Sequence, residues 1–374
     1  MIMITDIFNR IFKRIKKINA AQICIAVFIA FPLILFATEI IKPDRTISVN
    51  ENRVLIAGKD INTGIFDGQF QRDLEKYLSD QFPLRDMLKG AEAGIRLRLG
   101  SGCIGGAYVG SDGRLFQKLL GSDVDIGRCV RYAARINRIA EQTGIETYVM
   151  YVPSAGISLK KNMPYGAPMY NYDALYSALR KELKSARMID LRGALSGYEE
   201  YYYATDHHWT AAGAAAAYYE WCAAHGTEPD DRKCPTIISV NRNFRGTLWS
   251  RVPSELIHSE PLQAFEITEE VSVEADGKEI SLYDYPALST KDKYNFFEGG
   301  NHGILTVTNP NAENGKTLMI LKDSFANSFL PCIVGDYAKI IMVDERYAFI
   351  DAGQLATDVG ADEIAVIREI ISVG

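Results

Sequence analysis

Three side chains in this sequence have the types and spacing of an acyl-transfer site. Asp206 and His208 stand two apart in Tyr201-Tyr202-Tyr203-Ala204-Thr205-Asp206-His207-His208-Trp209-Thr210, ahead of an alanine-rich run. In an extended segment, residues i and i+2 face the same way, so Asp206 and His208 are expected to point together, with His207 opposed. A carboxylate that orients an imidazole is the pair that activates a serine. The competing reading is local: Thr210 as a helix N-cap, with Asp206 and His208 satisfied nearby. The partner stretch is Leu321-Lys322-Asp323-Ser324-Phe325, where an apolar run meets a helix. A serine at a strand-to-helix turn exposes its hydroxyl, and its N–H lies where a helix N-terminus stabilises an oxyanion. Asp and Ser are also common helix caps, so capping is the competing reading here too.

The elements that must position these groups follow from pattern. Residues 125–142 read as a helix ended by Gly144, 146–152 as a strand apolar on both faces, 173–186 as a helix and 188–191 as a short strand. After Trp209 a helix runs to about Gly226. Residues 317–321 and 339–343 read as strands, 324–332 as a short helix, and 362–371 carries the last element. Alternation of this kind predicts a parallel sheet covered by helices, with chemistry at the carboxyl ends of the strands. Residues 232–313, rich in Gly, Pro and β-formers, read as an irregular or antiparallel insertion.

The N-terminal third is organised differently. Arg10, Lys13, Arg14, Lys16 and Lys17 precede an apolar run over 18–41, broken by Asn19, Gln22, Thr38 and Glu39. About 20 apolar residues span a bilayer, and a basic flank stays inside. The expectation is a cytoplasmic tail at 1–17, an uncleaved anchor at 18–41, an extended stalk at 42–63 and an extracellular domain at 64–374. Residues 67–99 read as helical, interrupted at Asp80-Gln81-Phe82-Pro83-Leu84-Arg85. The chain has 374 residues, 47% hydrophobic, with net charge -6, which argues against nucleic acid as a partner. None of the six cysteines shows zinc-type spacing; Cys222 and Cys234 are the nearest pair for a disulfide.

Taken together, these residues resemble the DHHW proteins of Gram-positive bacteria. The likeness rests on Thr205-Asp206-His207-His208-Trp209-Thr210. Glu51-Asn52-Arg53, Asp80 to Arg85, Phe244-Arg245-Gly246-Thr247-Leu248, Gly299-Gly300-Asn301-His302 and Leu321 to Ser324 support it. That family is similar to the alginate O-acetyltransferases, a circularly permuted SGNH-hydrolase-like group. The resemblance implies a three-layer α/β/α sandwich with a mainly parallel sheet. It also implies Ser324 as nucleophile, His208 as general base and Asp206 as its orienter, with His207 and Trp209 shaping the site. The family usually has an arginine at the place of Ala204 and often a lysine near Ser154-Ala155-Gly156, so substrate contacts differ here.

Further candidates for oxyanion or substrate contact are Asn301, whose amide could donate, His302, Gly246 and Tyr203. The turn chemistry of Gly299-Gly300 is the other reading for Asn301 and His302. Tyr201 to Tyr203 read either as the lining of a sugar-binding cleft or as a half-buried strand. Lys322 reads as a surface charge. A metal held by Asp206, His207, His208 and His302 is disfavoured, because adjacent histidines on a strand point apart.

The activity implied is O-acyl transfer to, or ester cleavage on, a cell-surface polysaccharide. No cofactor is needed, and the resemblance implies a polytopic membrane O-acyltransferase as partner. The other function class is a non-catalytic glycan-binding or assembly partner.

Overall fold

The structure is a computed structural model that describes residues 19–48, 50–51, 53–62, 64, 68–227, 236–312 and 314–372. The basic tail, Cys234 and the start of the stretch read as an insertion lie outside the described residues. Two units are present, one from residues 1–49 and 53–89 and the other from 50–52 and 90–374.

In the first unit the helix Gln69–Gln81 ends where Phe82-Pro83 was expected to break it. Asp80 is buried there and bonds Arg53 through both guanidinium nitrogens. The Arg53 guanidinium holds its carboxyl below the usual range against the opposing effect of burial. This pair joins the two N-terminal sequence blocks. A helix, Ala20–Ile41, occupies the expected anchor and is 22 residues long. Among the described residues, however, no helix is long and apolar enough to cross a membrane. Several side chains of Ala20–Ile41 lie outside the described residues, and Gln22 and Thr38 interrupt its apolar surface.

The second unit is built on an eight-stranded sheet. Across it run Lys278–Ile280, Ser272–Ala275, Ile304–Thr308, Lys339–Val343, Thr317–Lys322, Glu363–Glu369, Glu146–Val152 and Arg187–Ile189. The last five are parallel to one another, and the first three are antiparallel to their neighbours. The sheet is therefore mixed, where a mainly parallel one was expected. Part of the stretch read as an insertion supplies the antiparallel strands. They alternate buried and solvated residues, which an antiparallel edge tolerates and a central parallel strand does not.

The central strands are buried on both faces, as parallel strands between helices must be. Leu318 and Ile320 face one apolar core, with the helices Ala211–His225 and Phe325–Ile333. Met319 and Leu321 face the other, with Ile126–Thr143, Tyr172–Glu182 and Ala352–Asp358. The boundaries follow local chemistry. Asp125 caps Ile126–Thr143 through Arg128 N, and Gly144 closes it at φ 67°. Thr210 accepts from Gly213 N and caps Ala211–His225. The N-cap reading of Thr210 therefore holds alongside the site rather than replacing it.

Gly213 is fixed by a close approach: a Cβ there would lie 2.4 Å from Tyr201 O and 3.0 Å from Trp209 Cβ. Gly→Ala in an open helix gains about 1 kcal/mol. Gly213→Ala should instead destabilise by about 1–3 kcal/mol through overpacking. Denaturant unfolding checks the sign; a gain in stability would contradict the contact.

Candidate active site

The segment before Ala211–His225 is not extended. Tyr202 bridges Trp209, Tyr203 N donates to His208 O and Thr210 N donates to Tyr201 O. Residues 204–207 are thereby forced into a tight loop. A second carboxylate pins that loop. Glu260, at the start of the strand Glu260–Phe265, accepts from Ala204 N at 2.7 Å and from Thr205 N and Oγ1 at 2.6 Å each. Burial pushes Glu260 up, although these donors oppose it.

Asp206 sits in the loop almost fully buried. Its Oδ1 takes His208 N at 3.0 Å and His208 Nδ1 at 2.6 Å; its Oδ2 takes Thr247 N at 2.7 Å and Thr247 Oγ1 at 3.0 Å. Burial pushes its carboxyl up. The two histidines and these donors outweigh burial and hold it well below the usual carboxylate range. Gly246 is required here, because a Cβ would lie 2.3 Å from Asp206 Cβ and Oδ2. Its N–H is spent on Thr205 Oγ1, so Gly246 positions Asp206 and is not an oxyanion donor.

A carboxylate on Nδ1 requires the proton there and leaves the His208 Nε2 lone pair for a donor. That donor is Ser324 Oγ, 2.7 Å away. Ser324 follows the strand Thr317–Lys322 and opens the helix Phe325–Ile333, yet its side chain makes no cap bond. Asp323 does the capping: Oδ1 accepts from Phe325 N and Oδ2 from Glu369 N, both at 2.9 Å. The hydroxyl is thus free for His208. No partner takes the Ser324 N–H among the described residues.

Two residues not singled out from sequence complete the surroundings. Tyr294 stacks on His208 with ring centres 3.9 Å apart and planes 7° apart, and its hydroxyl reaches Ser328 Oγ at 3.1 Å. Thr247 supplies two donors to Asp206. Thr247 lay inside a recognised motif, and that was its only signal; Tyr294 had none. Trp209 is buried and donates Nε1 to Phe325 O and Ser328 Oγ at 3.0 and 2.8 Å. It fixes the serine helix from behind and has no surface for substrate.

Other expectations need correction. His207 is not opposed to its neighbours: the loop turns its ring onto His208, centres 3.8 Å apart, with Nδ1 3.4 Å from Asp206 Oδ1. The argument that adjacent histidines point apart therefore fails, and the ligand atoms of Asp206, His207 and His208 lie within 4.8 Å of one another. His208 Nδ1 is already bonded to Asp206 and His207 Nδ1 to Thr247 Oγ1, and Asp206 takes four donors. Tyr202 and Tyr203 are core residues rather than a cleft wall; Tyr203 OH bonds the Gln263 backbone. Lys322 is buried, with Nζ 2.6 Å from Asn327 Oδ1 and 3.4 Å from Asn301 Oδ1, and burial lowers its pKa. Asn301 is exposed, and His302 binds Glu298 O within its own loop. Among the described residues, no hydrogen bond joins either to Ser324 or His208. Cys222 is a buried free thiol.

The geometry is that of an α/β protein with an aspartate–histidine–serine hydrogen-bonded chain at the carboxyl ends of its parallel strands. Residues 166–343 match the family described as DHHW protein. A DHHW family protein from Eubacterium siraeum has the same fold at 22% identity, with a TM-score of 0.62 over 72% of this chain and 94% of that one. Bacillus cereus PatB1, solved with a sulfonyl adduct, is similar at 19% identity, with a TM-score of 0.58 over 71% and 93%. No curated protein matches the sequence.

Glu369 gives the site a pH dependence. Burial, then the Asp323 charge, pushes its carboxyl up to about 8, from an ordinary value of 4.5. A group raised on folding contributes stability that is complete below about 4.5 and is lost as pH rises towards 8. Between pH 5 and 8 the wild type should lose on the order of 3 kcal/mol relative to Glu369→Gln. Parallel denaturation curves for the two proteins would reject this assignment.

Proposed function

We propose that this protein is a serine O-acyltransferase that moves acetyl groups to, or removes them from, the hydroxyls of a cell-surface polysaccharide. The observation that carries the reading is the His208 Nε2 to Ser324 Oγ contact, made by a serine hydroxyl that its own helix does not use. A binding module has no need of such a contact.

The chemistry follows from the donors. Ser324 Oγ attacks the ester carbonyl while its proton passes to His208 Nε2. Asp206, kept ionised by its four donors, stabilises the imidazolium that forms. The unpaired Ser324 N–H, at the start of the nine-residue helix Phe325–Ile333, meets the developing oxyanion. Collapse expels the alcohol with the proton from His208 and leaves an acyl group on Ser324. A sugar hydroxyl or water then attacks, gives its proton to His208, and Ser324 Oγ recovers it on release. Asn301 remains the candidate for a second oxyanion donor, since its exposed amide lies in the loop that Lys322 ties to the serine helix. No step calls for a metal or an organic cofactor.

The polysaccharide and a polytopic membrane O-acyltransferase that delivers acetyl groups are part of this proposal and rest on the family resemblance. Extracellular placement rests on Arg10, Lys13, Arg14, Lys16 and Lys17 ahead of Ala20–Ile41. Protease added to intact spheroplasts should remove residues beyond Lys42; protection of the domain would reject that placement.

Ser324→Ala should abolish hydrolysis of a chromogenic acetyl ester and labelling by a serine-directed sulfonyl fluoride. Stability should barely change, because the hydroxyl caps nothing. Asp206→Asn should cost about 10³–10⁴ in kcat by spoiling the tautomer. Gly246→Ala should lower kcat through the displaced carboxylate, with a smaller effect on KM. A wild type that neither turns over nor labels, while still binding glycan, would leave the non-catalytic partner as the function. Activity lost on chelation and restored by zinc would point to a metal at Asp206, His207 and His208.

A further inference from the structure

His207 is more open than its neighbour, its side chain 22% exposed against 5% for His208. Its protonation pattern is fixed by neighbours. Nδ1 lies 2.9 Å from Thr247 Oγ1, and that hydroxyl already donates its own proton to Asp206 Oδ2. Thr247 Oγ1 therefore accepts, and His207 Nδ1 carries the hydrogen. Nε2 is left with a lone pair and no hydrogen-bond partner among the described residues. Burial, then the neighbouring His208, pushes the ring down to about 4, so it is neutral near pH 7.

The two rings lie with centres 3.8 Å apart, and both Nδ1 atoms sit on the Asp206 side, at 2.6 Å for His208 and 3.4 Å for His207. Both Nε2 atoms consequently lie on the edges away from Asp206. One is engaged with Ser324; the other is an acceptor that no group bonds among the described residues. A neutral, tautomer-locked acceptor beside the reacting position suits a second hydroxyl on the same ligand.

Resting on the acyl-transfer reading above, we propose that His207 Nε2 binds the hydroxyl next to the reacting one, so that the site selects acceptors with vicinal hydroxyls. In the transfer step the reacting hydroxyl oxygen bonds the acyl carbon and its proton goes to His208 Nε2. The acyl–Oγ bond breaks and Ser324 Oγ takes that proton. The vicinal hydroxyl donates a hydrogen bond to His207 and keeps its proton throughout. His207 is thus a specificity residue and takes no part in proton transfer.

The test uses p-nitrophenyl acetate as donor, with cyclohexane-1,2-diol and cyclohexanol as competing acceptors. One hydrogen bond of about 1 kcal/mol predicts a preference for the diol of about fivefold in kcat/KM beyond the statistical factor. His207→Phe keeps a ring against His208 but has no lone pair, and should reduce the preference to the statistical factor. Its transfer rate should fall more than its acylation rate, measured as the burst of p-nitrophenol. His207→Gln returns an acceptor oxygen and should restore part of the preference; it also serves if the phenylalanine variant does not fold. A diol preference unchanged in both variants, or equal losses in acylation and transfer, would overturn the proposal and leave His207 as packing for His208. Absence of any acyl-enzyme in the wild type would instead overturn the acyl-transfer reading, and this proposal with it.

Discussion

The site depends on one buried charge. Asp206 lies out of water, where an ionised carboxylate is expensive unless its oxygens are fully hydrogen-bonded. Four donors satisfy it, two from His208 and two from Thr247. The donors come from stretches some forty residues apart, |i−j| being 41 for Thr247. The loop that carries Asp206 must therefore be held in one geometry, and Glu260 holds it through three short bonds to Ala204 and Thr205. The two carboxylates do different work. Asp206 is held low by the two histidines and the Thr247 N–H, whereas at Glu260 burial outweighs the Ala204 and Thr205 donors and the carboxyl is raised.

The serine side is solved by a division of labour between adjacent residues. A helix start following a buried strand needs a cap, and an acidic group there is favourable. Asp323 takes that duty and also accepts from Glu369 on the neighbouring parallel strand. Ser324 is thereby released for His208. Tyr294 and Trp209 then converge on Ser328, one turn along the same helix, so His208 and Ser324 share a single support.

Much of this was legible in the sequence, for identifiable reasons. Strands such as Glu146–Val152 and Lys339–Val343 are continuous apolar runs between turn residues, and burial on both faces leaves no other reading. Asp206, His208 and Ser324 were legible because each stands at the end of a periodic element. The direction of His207 was not: an i, i+2 argument assumes an extended backbone, and the pairing of Tyr202 with Trp209 forces a turn instead. Tyr203 and Lys322 were misread because residue type predicts the average environment. Tyr203 finds a backbone partner for its hydroxyl and Lys322 finds Asn327, and only long-range packing supplies these. The strands within 272–308 are short and half-solvated, so they resembled an insertion while serving as the antiparallel edge of the main sheet.

The separation between the two halves of the site has a kinetic meaning. His208 and Ser324 meet across 116 residues, and the strand carrying Ser324 is central, paired with Lys339–Val343 and with Glu363–Glu369 from the end of the chain. Contacts of such sequence separation form slowly, because loop closure must precede any gain from pairing. A chain emerging from its N-terminus presents the Asp206 loop long before the last strand exists. Ser324 has no fixed position against His208 until that strand is in place. The His208–Ser324 contact is therefore absent from nascent and partly folded chains, and is a property of the finished sheet alone.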